Sequence, residues 1–190
     1  MSSHVNAGKV TTRRSPRLLA DGDRQNYFTM RPPTFEDIPV ESVINVKSVA
    51  QYPVKGDGVT DDTANINAIL AMYAGCKIIY FPAGTYVVTG TIFVPPQSRI
   101  VGDSFASAIS AAGDNFKNEN MPVPMVRVGK PGDVGVAQFS DMLFTVADIL
   151  SGCKLVRCMC KKKIFFDCIP TNTKGVVSSR SILLATIKVT

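Results

Sequence analysis

The sequence predicts a mainly β protein whose short strands wind as stacked parallel coils behind one capping α-helix. Three observations carry this. Brief β-branched runs, Lys77–Phe81, Thr85–Val88, Thr91–Val94 and Arg99–Val101, are interrupted by Pro82-Ala-Gly84, Gly90, Pro95-Pro96 and Gly102. No two-residue hairpin signal such as Asn-Gly joins them, which favours coils over an antiparallel meander. Ahead of them, Ile66, Ile69, Leu70 and Tyr73 fall at i, i+3, i+4 and i+7, the buried stripe of a helix. Periodicity alone leaves a β-sandwich as the alternative, because sequence repeats are weak.

The elements follow in order. Residues 1–40 read as an extended tail or linker: arginines stand among Ser, Thr and Pro with no apolar period, and Arg31-Pro-Pro-Thr34 is held extended by its prolines. Val43–Val46 is a first strand. Gly56-Asp57-Gly58 makes a tight turn, since glycine tolerates positive φ. Thr60, Asp61 and Asp62 then offer oxygens to the unpaired N–H groups of a helix start. Gly75 closes that helix. The helix hides the apolar edge of the first coil from water. Ala108–Ala111, Met125–Val128 and Gln138–Thr145 are further rungs, with Phe105–Pro124 a longer excursion that exposes Asn115–Asn120.

With 190 residues, 45% of them hydrophobic, the chain suits one domain with a core. No apolar run approaches membrane-spanning length, and the N-terminus lacks the apolar core of a signal peptide. Either the protein is not secreted or its true N-terminus is missing. The net charge of +6 sits at the ends. Residues 41–156 hold 8 basic and 10 acidic groups, whereas residues 157–190 hold 7 and 1. The folded-looking middle is slightly acidic, which argues against nucleic acid as a partner.

Candidate reactive residues are few. Of the carboxylates, Asp61 and Asp62 read as caps, and Asp57, Asp103, Asp114 and Asp133 as turn residues. Glu36, Glu41 and Glu119 lie outside any strand-like run, and Asp141 and Asp148 alone have apolar surroundings. No catalytic residue is assigned. Cys76 and Cys153 share a Gly-Cys-Lys context at strand starts, and read either as buried free thiols or as a disulfide clipping two coils. Cys158-Met-Cys160 has no second pair, and His4 is the single histidine, so neither a metal site nor a cofactor is expected. Trp is absent. Of the tyrosines, Tyr52 and Tyr86 remain as sugar-stacking platforms, while Tyr73 and Tyr80 read as core.

The segment Tyr27–Val156 resembles the start of the second β-helix of fungal glycoside hydrolase family 55, the exo-β-1,3-glucanases, within the pectate-lyase-like superfamily. The pieces that carry this are Tyr52-Pro-Val-Lys-Gly-Asp-Gly58, Thr60-Asp-Asp-Thr63, Ile79-Tyr-Phe-Pro-Ala-Gly84-Thr-Tyr86, Ser98–Gly102, Val128–Gln138 and Ser140–Asp148. The run from Gly129 to Asp148 is the most specific. The resemblance implies a right-handed parallel β-helix, an extracellular location, and inverting hydrolysis of β-1,3-glucan. It also implies a second β-helix packed alongside, with the glucan between the two. No residue here matches the family's catalytic glutamate, so an inactive part of such an enzyme is expected, or else a non-catalytic carbohydrate-binding or structural module. The resemblance ends at Val156. Residues 157–190 change composition abruptly, and read as a translated intron or frameshift, or as a genuine basic tail.

Overall fold

A computed structural model describes residues 35–159, apart from 37, 105, 148 and 149, together with the backbone of the strands Ile164–Cys168 and Leu183–Val189. The extended tail expected over residues 1–40 lies almost wholly outside the described residues, as do His4, Asp148 and Cys160.

Ten strands and one helix build three faces. On the first face β1 (Val43–Asn45), β3 (Ile78–Phe81), β6 (Arg99–Gly102) and the first part of β9 (Gln138–Val146) pair in parallel. The second face holds β2 (Asp57–Asp61), β4 (Gly84–Val88), β7 (Ser107–Ala111) and the second part of β9, again parallel. The third holds β5 (Ile92–Val94), β8 (Val123–Val128) and β10 (Cys153–Cys158), also parallel. The chain visits the faces in rotation, one strand per face per coil, so the expected parallel coils are formed and the sandwich is not.

Between β2 and β3 the third face has no strand. Its place in the first coil is taken by α1 (Thr63–Tyr73). Ile66, Ile69 and Leu70 are buried from that helix, as the stripe predicts. Asn67 completes the substitution. Its side chain donates to the Thr91 carbonyl (3.0 Å) and accepts from the Phe93 N–H (2.8 Å). Those are the groups that β5 would offer to a neighbouring strand, so one amide side chain does the work of a rung. Gly75, at φ +78°, follows the C-cap Ala74 and turns the chain into β3.

The interior is a set of columns, because equivalent positions in successive coils lie in register. Ile44, Ile79, Ile100 and Phe139 form one. Tyr86, Ile109 and Phe144 form another. Ile92, Val126 and Val156 form the third. Phe81 meets Tyr86 edge to face (5.1 Å, 88°), and Phe139 meets Phe144 likewise (5.8 Å, 73°). Strand β9 serves two faces by bending at Asp141, whose φ is +58°. Gly102 makes room for that bend, since a Cβ there would collide with the Asp141 carbonyl.

Several expectations need correction. Residues 57–61 form a strand, β2, as well as a turn. Within residues 115–120, expected to be exposed, Phe116 is fully buried. The coil continues past Val156: Arg157 and Cys158 lie in β10, in register with Arg127 and Val128. After that, β11 (Ile164–Cys168) and β12 (Leu183–Val189) are antiparallel to each other, and β12 is antiparallel to β9. The chain therefore leaves the coil pattern only beyond Cys158.

Candidate functional site

An open groove of about 310 Å³ lies on the outside of the solenoid, where the third face turns into the first. Its walls are Gly75, Gln97, Ser98, Arg99, Val136 and Gln138. Its size is at the lower end of small-ligand sites. Local backbone chemistry fixes it. The turn after Pro95-Pro96 forces Gln97 to φ +68°. The Gln97 N–H donates to the Val136 carbonyl, and the Gln138 N–H donates to the Ser98 carbonyl (2.8 Å). The Ser98 hydroxyl is spent on the Pro95 carbonyl (2.7 Å). Gly75 has no side chain to block Gln97, whose Oε1 would lie 3.1 Å from a Cβ there.

Three side chains remain to meet a ligand: the Gln97 and Gln138 amides and the Arg99 guanidinium. Arg99 and Gln138 sit side by side in register on β6 and β9. Tyr80, half-buried, lies in the neighbouring outward column with Asn45, Val101 and Ser140. Amide groups donate to hydroxyls and accept from them, and a guanidinium donates to them. None of the groove residues carries a carboxylate.

The carboxylates of the motif are structural. Asp62 is fully buried and accepts the N–H groups of Lys55 and Gly56 (2.8 Å each). It stands at the N-cap of α1, but its side chain does not cap the helix. That role falls partly to Asp61, which accepts from the Thr63 N–H (3.0 Å) and from the Thr63 and Thr89 hydroxyls. Burial raises the Asp61 pKa, but the bonds from Thr63 and Thr89 outweigh it and hold the carboxyl below its ordinary value. Asp57 accepts from the Thr60 and Val59 N–H groups and the Thr60 hydroxyl, and these bonds lower it to about 2. Gly56 and Gly84 allow a close crossing: Gly84 has the Gly56 carbonyl 2.5 Å from where a Cβ would stand. Asp114 pairs with Lys117 at 2.7 Å, Asp133 accepts the Lys130 N–H, and Asp141 accepts the Ser140 hydroxyl. Asp141 is exposed at the bend, not set in an apolar pocket. No cluster of His, Cys, Asp or Glu among the described residues is arranged to hold a metal ion.

The aromatic and cysteine readings also change. Tyr86 is fully buried, donates its hydroxyl to the Pro82 carbonyl (2.6 Å), and cannot stack on a sugar. Burial, then the Asp62 charge, raises its pKa. Tyr80 faces outward, not into the core. The period-two alternation with buried Ile79 and Phe81 carried that signal. Cys76 is exposed and Cys153 is half-buried; both are free thiols, and the pairing weighed for them is not made. Burial pushes the Cys153 thiol up to about 11. Nothing in the sequence singles out Gln97, Arg99 and Gln138 as groove-lining residues, because no local pattern distinguishes a solvated turn from one that walls a groove.

Residues 43–143 match the family model described as rhamnogalacturonase A/epimerase, pectate lyase-like. A glucan endo-1,3-beta-glucosidase of Trichoderma harzianum is 43% identical over 174 residues, covering 82% of this chain and 22% of that protein. A glucan 1,3-beta-glucosidase of Cochliobolus carbonum is 39% identical over 127 residues, 66% of this chain and 15% of that protein. A non-secreted LysM effector of Penicillium expansum is 39% identical over 134 residues, 70% of this chain and 10% of that protein. The chain spans less than a quarter of the length of each of these relatives. No helix among the described residues is long and apolar enough to cross a membrane.

Proposed function

Because the chain belongs to the pectate lyase-like rhamnogalacturonase A/epimerase family, we propose that it is a β-1,3-glucan-handling solenoid module that holds sugar in the groove at Gln97, Arg99 and Gln138 without cleaving it. The observation that carries this reading is a groove lined by amide and guanidinium side chains with no carboxylate, in a chain similar to two glucan 1,3-beta-glucosidases. Inverting glycoside hydrolysis needs two carboxyl groups facing across the scissile bond, roughly 6.5–9.5 Å apart. In this chain Asp57, Asp61, Asp62, Asp114, Asp133 and Asp141 are each engaged by neighbouring backbone or side chains. Hydrolysis would therefore require carboxylates beyond these, with a second β-helix packed alongside in an extracellular enzyme. In this reading residues 41–158 are the folded module.

Two assays test it. The full chain should sediment with insoluble β-1,3-glucan, and should release no glucose from laminarin. Arg99→Ala with Gln138→Ala should lower retention about tenfold, the loss of two hydrogen bonds. Equal retention of that variant would remove the groove from the argument, and glucose release would remove the non-catalytic reading. A purely structural module is the second reading, favoured because Asp57, Asp61 and Asp62 of the motif are all engaged within the fold. It predicts no sedimentation with glucan at all.

A further inference from the structure

The turn that walls the groove carries a residue that its own geometry disfavours. Pro96 and Gln97 stand at its centre, and the Ser98 N–H closes it by donating to the Pro95 carbonyl (3.4 Å). Gln97 has φ +68°. Proline followed by a positive φ is the type II arrangement, whose second central position calls for glycine or asparagine. A glutamine there brings its Cβ against the following carbonyl oxygen, a clash that glycine escapes. Elsewhere the chain gives such positions to glycine: Gly56, Gly58, Gly113 and Gly132 have φ of +59°, +78°, +89° and +96°. Asp141, the other non-glycine case within the described coils, is a residue type that tolerates the conformation, and its carboxylate accepts the Ser140 hydroxyl.

The fold makes no comparable use of the glutamine side chain. The turn is tied to Val136 through the Gln97 backbone N–H, which a glycine would supply equally well. The Gln97 side-chain amide has no hydrogen-bond partner among the described residues. The residue is exposed, and its amide oxygen lies over Gly75, 3.1 Å from where a Cβ would stand. The neighbours brace the turn. Gly135 leaves the space that Pro96 fills, since a Cβ there would stand 2.6 Å from the Pro96 Cβ. Strained backbone persists where the surroundings over-determine it, and such positions gather at ligand sites. We propose that Gln97 is the specificity-determining residue of the groove, held on a strained turn so that its amide meets a hydroxyl of a neutral sugar. A hydroxyl both donates and accepts, whereas an anion only accepts. Arg99 can only donate, so an amide acceptor beside it tips the groove toward the hydroxyl. This rests on the glucan reading and adds to it what selects the ligand and what that selection costs in stability.

The test compares the full chain with Gln97→Gly and Gln97→Met, each measured for thermal midpoint and for sedimentation with insoluble β-1,3-glucan. Gln97→Gly relieves the clash and deletes the amide. It should raise the midpoint by a few degrees and lower retention about tenfold. Gln97→Met keeps the length and the strain but lacks the amide, so it should lower retention as far with the midpoint unmoved. A glutamine kept for the fold would give the opposite sign in the first variant, losing stability when replaced. Selectivity is read by competition between a soluble laminarin oligosaccharide and its C6-oxidised, carboxylate-bearing counterpart. Gln97→Met should shift the ratio of their effective concentrations toward the oxidised competitor. Retention kept by either variant, an unshifted ratio, or a midpoint that falls in Gln97→Gly overturns the proposal. If both variants are retained while Arg99→Ala with Gln138→Ala is not, only the role of Gln97 falls. If the unaltered chain does not sediment, the glucan reading falls and this one with it.

Discussion

Asp61 and Asp62 are adjacent and chemically identical, yet the fold uses them oppositely. Asp62 is buried against two N–H groups, whereas Asp61 stays exposed and ties α1 to Thr89. The sequence showed that two carboxylates flank a helix start. It did not show which would turn inward, because that depends on where the Lys55–Gly56 backbone passes. Asp62→Asn would keep the shape but set an N–H₂ group against donors, and should cost about 2 kcal/mol of stability, read as a lower urea midpoint. Acid should act through the exposed pair. Asp57 is lowered from its ordinary 3.8 to about 2, and Asp61 is lowered too. A folded-state pKa below the unfolded one adds stability above the unfolded value and loses it as pH falls through the folded value. The urea midpoint should therefore fall between about pH 4 and pH 2, and Asp57→Asn should flatten that fall. Cysteine reactivity is a third check. Burial raises the Cys153 thiol from an ordinary 9.0 to about 11 and so depletes its thiolate, and alkylation followed by mass spectrometry should label exposed Cys76 well before it.

Strands and helix were legible where period-two or period-3.6 burial meets a glycine or proline stop. Helix α1 and the cores of β3 to β9 lie where those signals put them. The failures have a common cause: the next coil over decides them. Strand β2 shows five exposed residues and no alternation, and is a strand only because β4 pairs with it. Strand β10 outlasts the apparent end of the pattern because β8 gives Arg157 and Cys158 partners. The groove was illegible for the same reason, since Arg99 and Gln138 are 39 positions apart and meet only through register. Asn67 is the sharpest example of an element depending on one side chain. Asn67→Ala should leave the Phe93 N–H and the Thr91 carbonyl without partners and cost about 1–3 kcal/mol. Hydrogen exchange should show the loss first at the Phe93 amide; unchanged protection there would mean that water replaces the side chain without cost.

At the scale of the molecule, each coil rests on its neighbours, and cohesion is local along the axis. The faces repeat, but the corners do not. From Ile78 to Arg99 the chain uses 21 positions to return to the same face, and from Arg99 to Gln138 it uses 39. The surplus is spent at corners such as the stretch holding Glu119 and Asn120, both exposed. Natural lineages could therefore lengthen or trim a bend without disturbing the stacked columns, and a laboratory can do the same. An antibody epitope spliced between Glu119 and Asn120 should be recognised on the folded chain with the thermal midpoint moved by only a few degrees, because lengthening an exposed loop costs little entropy. The corner is thus a splice point, open to foreign cargo on a scaffold that does not register its presence.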